Sequence, residues 1–216
     1  MQALPRGPLA HCAARRFSTS AVARVRLPHI GREPLLWKDP VKLTPTPESI
    51  LVEGPLGRTA VPLKPYITLH FPDPNQLQIG VKDMGEREQR MMWGTTRTLI
   101  ANAIVGMTEG YSVPLYLVGV GFRANMEDDP RGTLDGGSGK RLHMKLGYTH
   151  SVYVPIPPYM KAEVPSATKI SLFCTDKQLL GEFARKIKSL RMPEPYKGKG
   201  IFIGKETIRL KSAKKR

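Results

Sequence analysis

Five histidines, two cysteines and one adjacent carboxylate pair are the residues with which this chain could do bond-making chemistry. Their spacing gives none of the usual arrangements. His11, His29, His70, His143 and His150 do not pair with Cys, Asp or Glu at a metal-ligand spacing. No serine lies in a nucleophile elbow, and no Walker-type loop occurs. Asp128-Asp129 falls in a stretch read as a mobile loop, where nothing excludes water or holds geometry. Cys12 and Cys174 make no disulfide framework, which fits a reducing, matrix-like compartment. No catalytic residue, metal site or cofactor is therefore expected.

One stretch has binding chemistry instead: Pro193-Glu194-Pro195-Tyr196-Lys197-Gly198-Lys199-Gly200. Two prolines stiffen the chain and remove backbone donors. Two glycines permit positive φ and close backbone approach, so their amides could reach an anion, while Lys197 and Lys199 bring charge to the same place. Such a loop suits a phosphate backbone better than a small neutral substrate. The bland alternative is a solvated basic turn. A phosphate-handling enzyme built on this loop would lack both a base and a metal site.

The surrounding charge favours a polyanion. The chain of 216 residues carries 34 Lys and Arg against 18 Asp and Glu, a net charge of +16. That points to nucleic acid or an anionic membrane surface. No apolar run approaches the roughly 20 residues that span a bilayer. From Arg185 onward the cations are Arg185, Lys186, Lys188, Arg191, Lys197, Lys199, Lys205, Arg209, Lys211, Lys214, Lys215 and Arg216, against two acids, Glu194 and Glu206. Tyr196 and Phe202 interleave rings with this charge; Tyr196 suits stacking on a base, and Phe202, between Ile201 and Ile203, suits a core. Dense Lys and Arg with few base-reading groups fit recognition of phosphate and shape in structured RNA.

The elements that must hold this loop follow from periodicity. Twenty prolines and twenty glycines suit many turns and short strands. Residues 27–47 read as proline-rich and irregular. Ile50-Leu51-Val52 and Thr59–Leu63 flank a Gly54-Pro55-Leu56-Gly57 turn and form a hairpin. Tyr66–Phe71 and Leu77–Val81 alternate around another turn, giving an antiparallel sheet with one buried face. Met92, Thr96, Leu99-Ile100, Ala103-Ile104 and Met107 then recur at helical spacing, which predicts a helix over 86–108 ended by Gly110. Arg87, Arg90 and Arg97 lie off its apolar stripe. The small residues Gly94-Thr95-Thr96 serve helix–sheet packing or the close approach of an RNA strand.

A second round begins at Tyr111. A long strand runs through Leu115, Leu117, Val118 and Val120, with Gly119 and Gly121 marking a bulge or close approach. Glu127–Gly139 reads as an acidic mobile loop. Alternation at Leu142–Leu146, Val152–Val154, Ala162–Val164 and Ile170–Leu172 predicts four short strands. Thr175-Asp176-Lys177-Gln178 reads as a capping box with the Thr175 hydroxyl at its head, opening a helix whose stripe is Leu179-Leu180, Phe183-Ala184, Ile187 and Leu190. Lys177, Arg185, Lys188 and Arg191 project from its other faces. Sheet, helix, sheet, helix implies an α+β fold of two similar small domains, each an antiparallel sheet packed against one helix.

Residues 1–24 read as an address. They hold Arg6, Arg15, Arg16 and Arg24, several hydroxyls and no acid, the composition of a mitochondrial transit peptide. Arg15-Arg16-Phe17-Ser18-Thr19-Ser20 resembles a two-step matrix-processing pattern; an RNA-binding basic tail is the alternative. The boundaries expected are 1–24 for the leader, 25–110 and 111–203 for the two domains, and 204–216 for a basic tail.

Pro193–Ile201 resembles the signature of protein six of the large ribosomal subunit, bacterial and organellar type. His29–Leu35, Val52–Gly57, Gly94–Arg97 with Leu99 and Ala101-Asn102, Leu117–Arg123, Val164–Ile170, Asp176–Gln178 and Leu210-Lys211 resemble the same family in the same order. The resemblance implies a two-domain fold from internal duplication, bound to large-subunit rRNA near the sarcin–ricin loop, beside the docking site of translational GTPases and among neighbouring mitochondrial ribosomal proteins. It implies RNA contact by Lys197, Gly198, Lys199 and Gly200, supported by Tyr196, Arg185, Lys188, Arg191, Lys205, Arg209, Lys211, Lys214, Lys215, Arg216 and Arg97. Trp93 stands where bacterial members usually carry His, which removes any polar contact made by that His. The acidic 127–139 loop exceeds the bacterial hairpin in length and faces solvent or an organelle-specific protein. With the leader, the expected place is the mitochondrial matrix, as a structural, non-enzymatic protein of the ribosome; the alternative is a non-ribosomal mitochondrial RNA-binding regulator.

Overall fold

The computed structural model describes residues 29–38, 40–130 and 138–212. The leader of residues 1–24 and the terminal Lys214, Lys215 and Arg216 lie outside the described residues. The first half runs through α1 (His29–Arg32), β1 (Leu35–Leu36), β2 (Lys42–Pro45), β3 (Ser49–Gly54), β4 (Gly57–Pro62), β5 (Ile67–Asp73), β6 (Gln76–Val81) and α2 (Arg87–Thr108). Two antiparallel three-stranded sheets form, in the orders β2-β3-β4 and β1-β6-β5. A single sheet is thus corrected to two. The proline-rich stretch is less irregular than expected, because β1 pairs with β6 and β2 with β3. The β1 partner lies about forty residues away, which local pattern does not reveal, whereas β2 turns back on β3 as a local hairpin, Pro45 opposite Ile50.

Ile50, Val52, Leu77 and Ile79 from the sheets close on Trp93, Ile100, Ile104 and Met107 of α2. Trp93, with Met92 only half-buried, opens the buried stripe. Its indole Nε1 donates to the Ile79 carbonyl at 2.7 Å, and a Cβ on Gly31 would lie 2.7 Å from its ring. The indole therefore does make a polar contact, an internal one, and α1 can approach because residue 31 has no side chain. The helix stops at Glu109, and Gly110, at φ +74°, donates its amide to the Val105 carbonyl at 3.1 Å. This left-handed C-terminal residue is the one the sequence indicated.

The second half runs through β7 (Tyr111–Val118), β8 (Arg123–Asp128), β9 (Lys140–Lys145), β10 (Val152–Pro155), β11 (Lys161–Ser166), β12 (Lys169–Cys174), α3 (Lys177–Leu190) and β13 (Gly200–Ile203). One sheet has the order β11-β12-β7-β13, the other β10-β9-β8. Leu115, Leu117, Ile170, Leu172 and Ile201 are almost fully buried beneath Leu180, Phe183 and Ile187 of α3, with Leu142 and Met144 from the other sheet. The expected long strand through Val120 ends at Val118. Gly121, at φ +74°, turns the chain into β8 and leaves Val120 at a turn. Glu127 and Asp128 belong to β8 and not to a loop. Glu127 accepts from Arg141 at 3.3 Å and His143 at 2.6 Å. The α3 cap also moves by one residue: Asp176, not Thr175, accepts from the Gln178 amide, at 2.7 Å. Both residue types cap well, so pattern alone does not choose between them.

Candidate nucleic-acid interface

The Pro193–Gly200 loop is built on the end of α3. Tyr148 donates its hydroxyl to the Leu190 carbonyl at 2.7 Å, and the Arg191 guanidinium lies 5.4 Å from the centre of the same ring. The Ile201 amide bonds the Arg191 carbonyl at 3.0 Å, so the chain leaves and rejoins the fold at one point. Inside the loop the Glu194 amide donates to Lys199 at 2.9 Å and the Gly198 amide to Glu194 at 3.1 Å. Gly198 has φ +66°, a left-handed turn that a side chain resists. A Cβ on Gly200 would fall 2.6 Å from Cα of Pro193.

These contacts revise the expected role of the glycines. The Gly198 amide is already bonded within the loop, and Gly200 is buried against Pro193. The glycines therefore set the loop's shape, while the side chains around them face outward. Tyr196 is 60% exposed, Lys197 is exposed and Lys199 half-buried.

The tail joins the loop, which local pattern did not indicate. The Lys211 amide donates to the Pro195 carbonyl at 2.8 Å, and Leu210 Cδ2 lies 3.4 Å from where a Gly198 Cβ would stand. Ile208 approaches the same point at 3.9 Å. Two sparse apolar residues in a basic stretch thus dock it, bringing the exposed Arg209 and Lys211 to the loop that carries Lys197 and Lys199, while the exposed Lys205 stands beside the Glu206 that fastens the tail to α3. Arg185 is exposed on α3.

Three other expected contacts are tied inward. Lys188 pairs with Glu206, and Arg191 with Glu194 at 3.2 Å. Arg97, in the first half, holds the Glu33 carboxylate at 3.1 Å and its carbonyl at 2.8 Å. The Lys188 hydrogen bond holds the Glu206 carboxyl below its ordinary value. Glu194 and Glu206, the two acids after Arg185, are both spent fastening loop and tail to α3. Lys214, Lys215 and Arg216 fall beyond the described residues.

Charge separates the halves. Residues 29–110 hold nine Lys and Arg and nine Asp and Glu, whereas residues 111–216 hold twenty and nine. The first half is electrically balanced, so polyanion attraction belongs to the second. The halves meet where Tyr111 donates its hydroxyl to the Asn102 carbonyl at 3.0 Å and Lys177 donates to the Asn102 side chain at 3.4 Å. Burial, then nearby Asp176, raises the Tyr111 hydroxyl pKa, keeping it a donor. Among the described residues no group of three His, Cys, Asp or Glu could hold a metal, and no helix is long and apolar enough to cross a membrane.

The family model described as Ribosomal protein L6 matches residues 118–203, which contain the loop and most of the second half. Large ribosomal subunit protein uL6m of Neurospora crassa is 37% identical over 188 residues, 87% of this chain and 71% of that protein. Large ribosomal subunit protein uL6 of Laribacter hongkongensis is 36% identical over 187 residues, 87% and 98%. The same protein of Clostridium kluyveri is 38% identical over 186 residues, 86% and 96%. Together with the paired sheet-and-helix halves, these likenesses establish that the chain belongs to the ribosomal protein L6 family of the large ribosomal subunit.

Proposed function

We propose that this chain is the mitochondrial member of that structural, non-enzymatic family, and that it clamps large-subunit rRNA through the loop–tail surface of its second half. What supports this is the joining of loop and tail into one cationic projection, with the neighbouring acids already paired inward. The balanced first half then holds the projection in position, and neighbouring mitochondrial ribosomal proteins complete its surroundings. The acid-free, arginine-rich leader supports a matrix address. Placement near the sarcin–ricin loop and the GTPase docking site goes with the same assignment.

The mechanism is electrostatic and geometric. Cations held at fixed spacing neutralise crowded phosphates, release their counterions and let rRNA helices pack. Replacing Lys197 and Lys199 by Ala weakens binding to large-subunit rRNA. It also lowers the log–log salt slope by roughly one unit for each phosphate no longer neutralised. An unchanged slope removes both lysines from the interface. Co-sedimentation with the mitochondrial large subunit in high salt separates a ribosomal component from a free RNA-binding regulator.

A further inference from the structure

We propose that the outer face of the second half's four-stranded sheet, at Tyr116 and Phe202, is a stacking platform for an unpaired RNA base, with Lys169 holding its phosphate. This rests on the RNA-binding reading above and adds a second, non-electrostatic contact to it.

Helix α3 packs on one face of this sheet. On that face Leu115 and Leu117 of β7 are at most 4% exposed. The residues that alternate with them, Tyr116 and Val118, are 39% and 44% exposed. In register, Tyr116 stands opposite Lys169 on one side and Phe202 on the other, so the three form one row across β12, β7 and β13. Directly opposed side chains lie about 5 Å apart at Cβ, so the two aromatic residues rise as neighbours from the same face of the sheet. The rows beside them carry little bulk. Ser171 and Pro114 are on one side, and Gly200 opposite Val118 adds no side chain on the other.

Phe173, further along the same face, shows what a covered aromatic looks like here. The first half packs on it, with its Cε2 2.6 Å from where a Gly110 Cβ would stand. Tyr116 keeps 39% of its surface exposed, and among the described residues its hydroxyl makes no hydrogen bond. The Lys169 amine lies 5.9 Å from the Tyr116 ring centre. Its flexible stem allows it to swing to a phosphate while a base takes the ring.

The occupant follows from charge and continuity. Phe202 lies three residues beyond the cationic Lys199, on the strand that the loop feeds directly. Glu163, opposite Ser171, is the acid of this face, one row away from the rings. Cations beside the exposed Tyr116 and the half-buried Phe202, on a half that carries twenty cations against nine acids, suit a base and its phosphate. An apolar protein partner would bury Lys169, which among the described residues has no ion pair made to it and only Glu163, one row away, to answer its charge.

The test uses the full chain and two RNA probes containing 2-aminopurine, one single-stranded and one fully paired. The unaltered chain binds both and changes the fluorescence of the single strand through stacking. Tyr116→Leu and Phe202→Leu each weaken single-strand binding on the order of five- to a hundred-fold with little change on the duplex. Tyr116→Phe, which keeps the ring, retains binding, and Lys197→Ala with Lys199→Ala weakens both probes. Unchanged single-strand affinity in the Leu variants, equal losses on both probes, or loss in Tyr116→Phe overturns the platform and leaves the loop–tail clamp standing. Failure of the unaltered chain to bind either probe overturns both.

Discussion

Gly106 lies against the backbone of the second half, and adding one methyl group there tests the junction. It lies inside α2, and a Cβ at this position would fall within 3.0 Å of the Thr175 carbonyl oxygen, with the Thr175 carbonyl carbon and the Tyr111 ring both at 3.3 Å. The obstacle is backbone just ahead of α3, so it cannot rotate aside; α2 and the second half must part. Within an ordinary helix, Gly→Ala gains about 1 kcal/mol. Overpacking costs about 1–3 kcal/mol and more against backbone. The expected result for Gly106→Ala is a net loss of about 1–2 kcal/mol. Gly94 and Gly181 are internal controls, since each is helical and has nothing within 4 Å of its built Cβ. Gly94→Ala and Gly181→Ala should each gain up to about 1 kcal/mol. Urea unfolding followed by tryptophan fluorescence and circular dichroism measures all three. Gly106→Ala as stable as its two controls would mean that the halves do not meet there as described.

Replacing Ile208 and Leu210 by Ser leaves every charge in place but removes the tail's apolar hold on Gly198. RNA affinity should fall about three- to ten-fold, from about 1 kcal/mol of partly buried apolar surface, with trypsin cutting faster at Arg209. Glu206 gives a pH signature. Its folded pKa is lowered by Lys188, so its stabilisation is full above the ordinary value of 4.5 and is lost as pH falls through the folded pKa. The stability difference between the parent and Glu206→Gln should therefore shrink from pH 6 to pH 3, and a constant difference would refute the pairing.

The parts of this molecule that were legible in sequence are those in which neighbours along the chain decide the outcome. The span of α2, its stop at Gly110 and the alternation in β9 and β12 depend on local spacing. The overall division into two sheet-and-helix halves followed from the same periodicities. What escaped depends on distant partners. Leu35 and Leu36 form a strand because Leu77 and Gln76 are there to receive them. Phe202, sandwiched between two isoleucines, reads as core, yet it is half-buried on the face opposite Ile201, because a four-residue strand at a sheet edge alternates from Gly200. The loop was legible as cationic, but Ile208 and Leu210 did not reveal that the tail folds back on it. Arg97, Lys188 and Arg191 read as free cations because their acids lie too far away, or on the wrong side of a turn, for helical spacing to pair them.

That pairing separates net charge from placed charge as the source of affinity. Glu194→Gln with Glu206→Gln raises the net charge by two and frees Arg191 and Lys188. If net charge governed, the double variant would bind rRNA more tightly, and its salt slope would steepen by up to about two units. If the two acids instead hold loop and tail against α3, their loss lets Lys197, Lys199, Lys205 and Arg209 drift from a common surface. Each exposed pair contributes only about 0–1 kcal/mol to stability, so the fold itself should survive. The expected outcome is a folded variant with weaker binding and no steeper slope, read from salt titrations of affinity. Tighter binding with a steeper slope would show that the cations act through number alone, and the geometry of the clamp would then have no part in the mechanism.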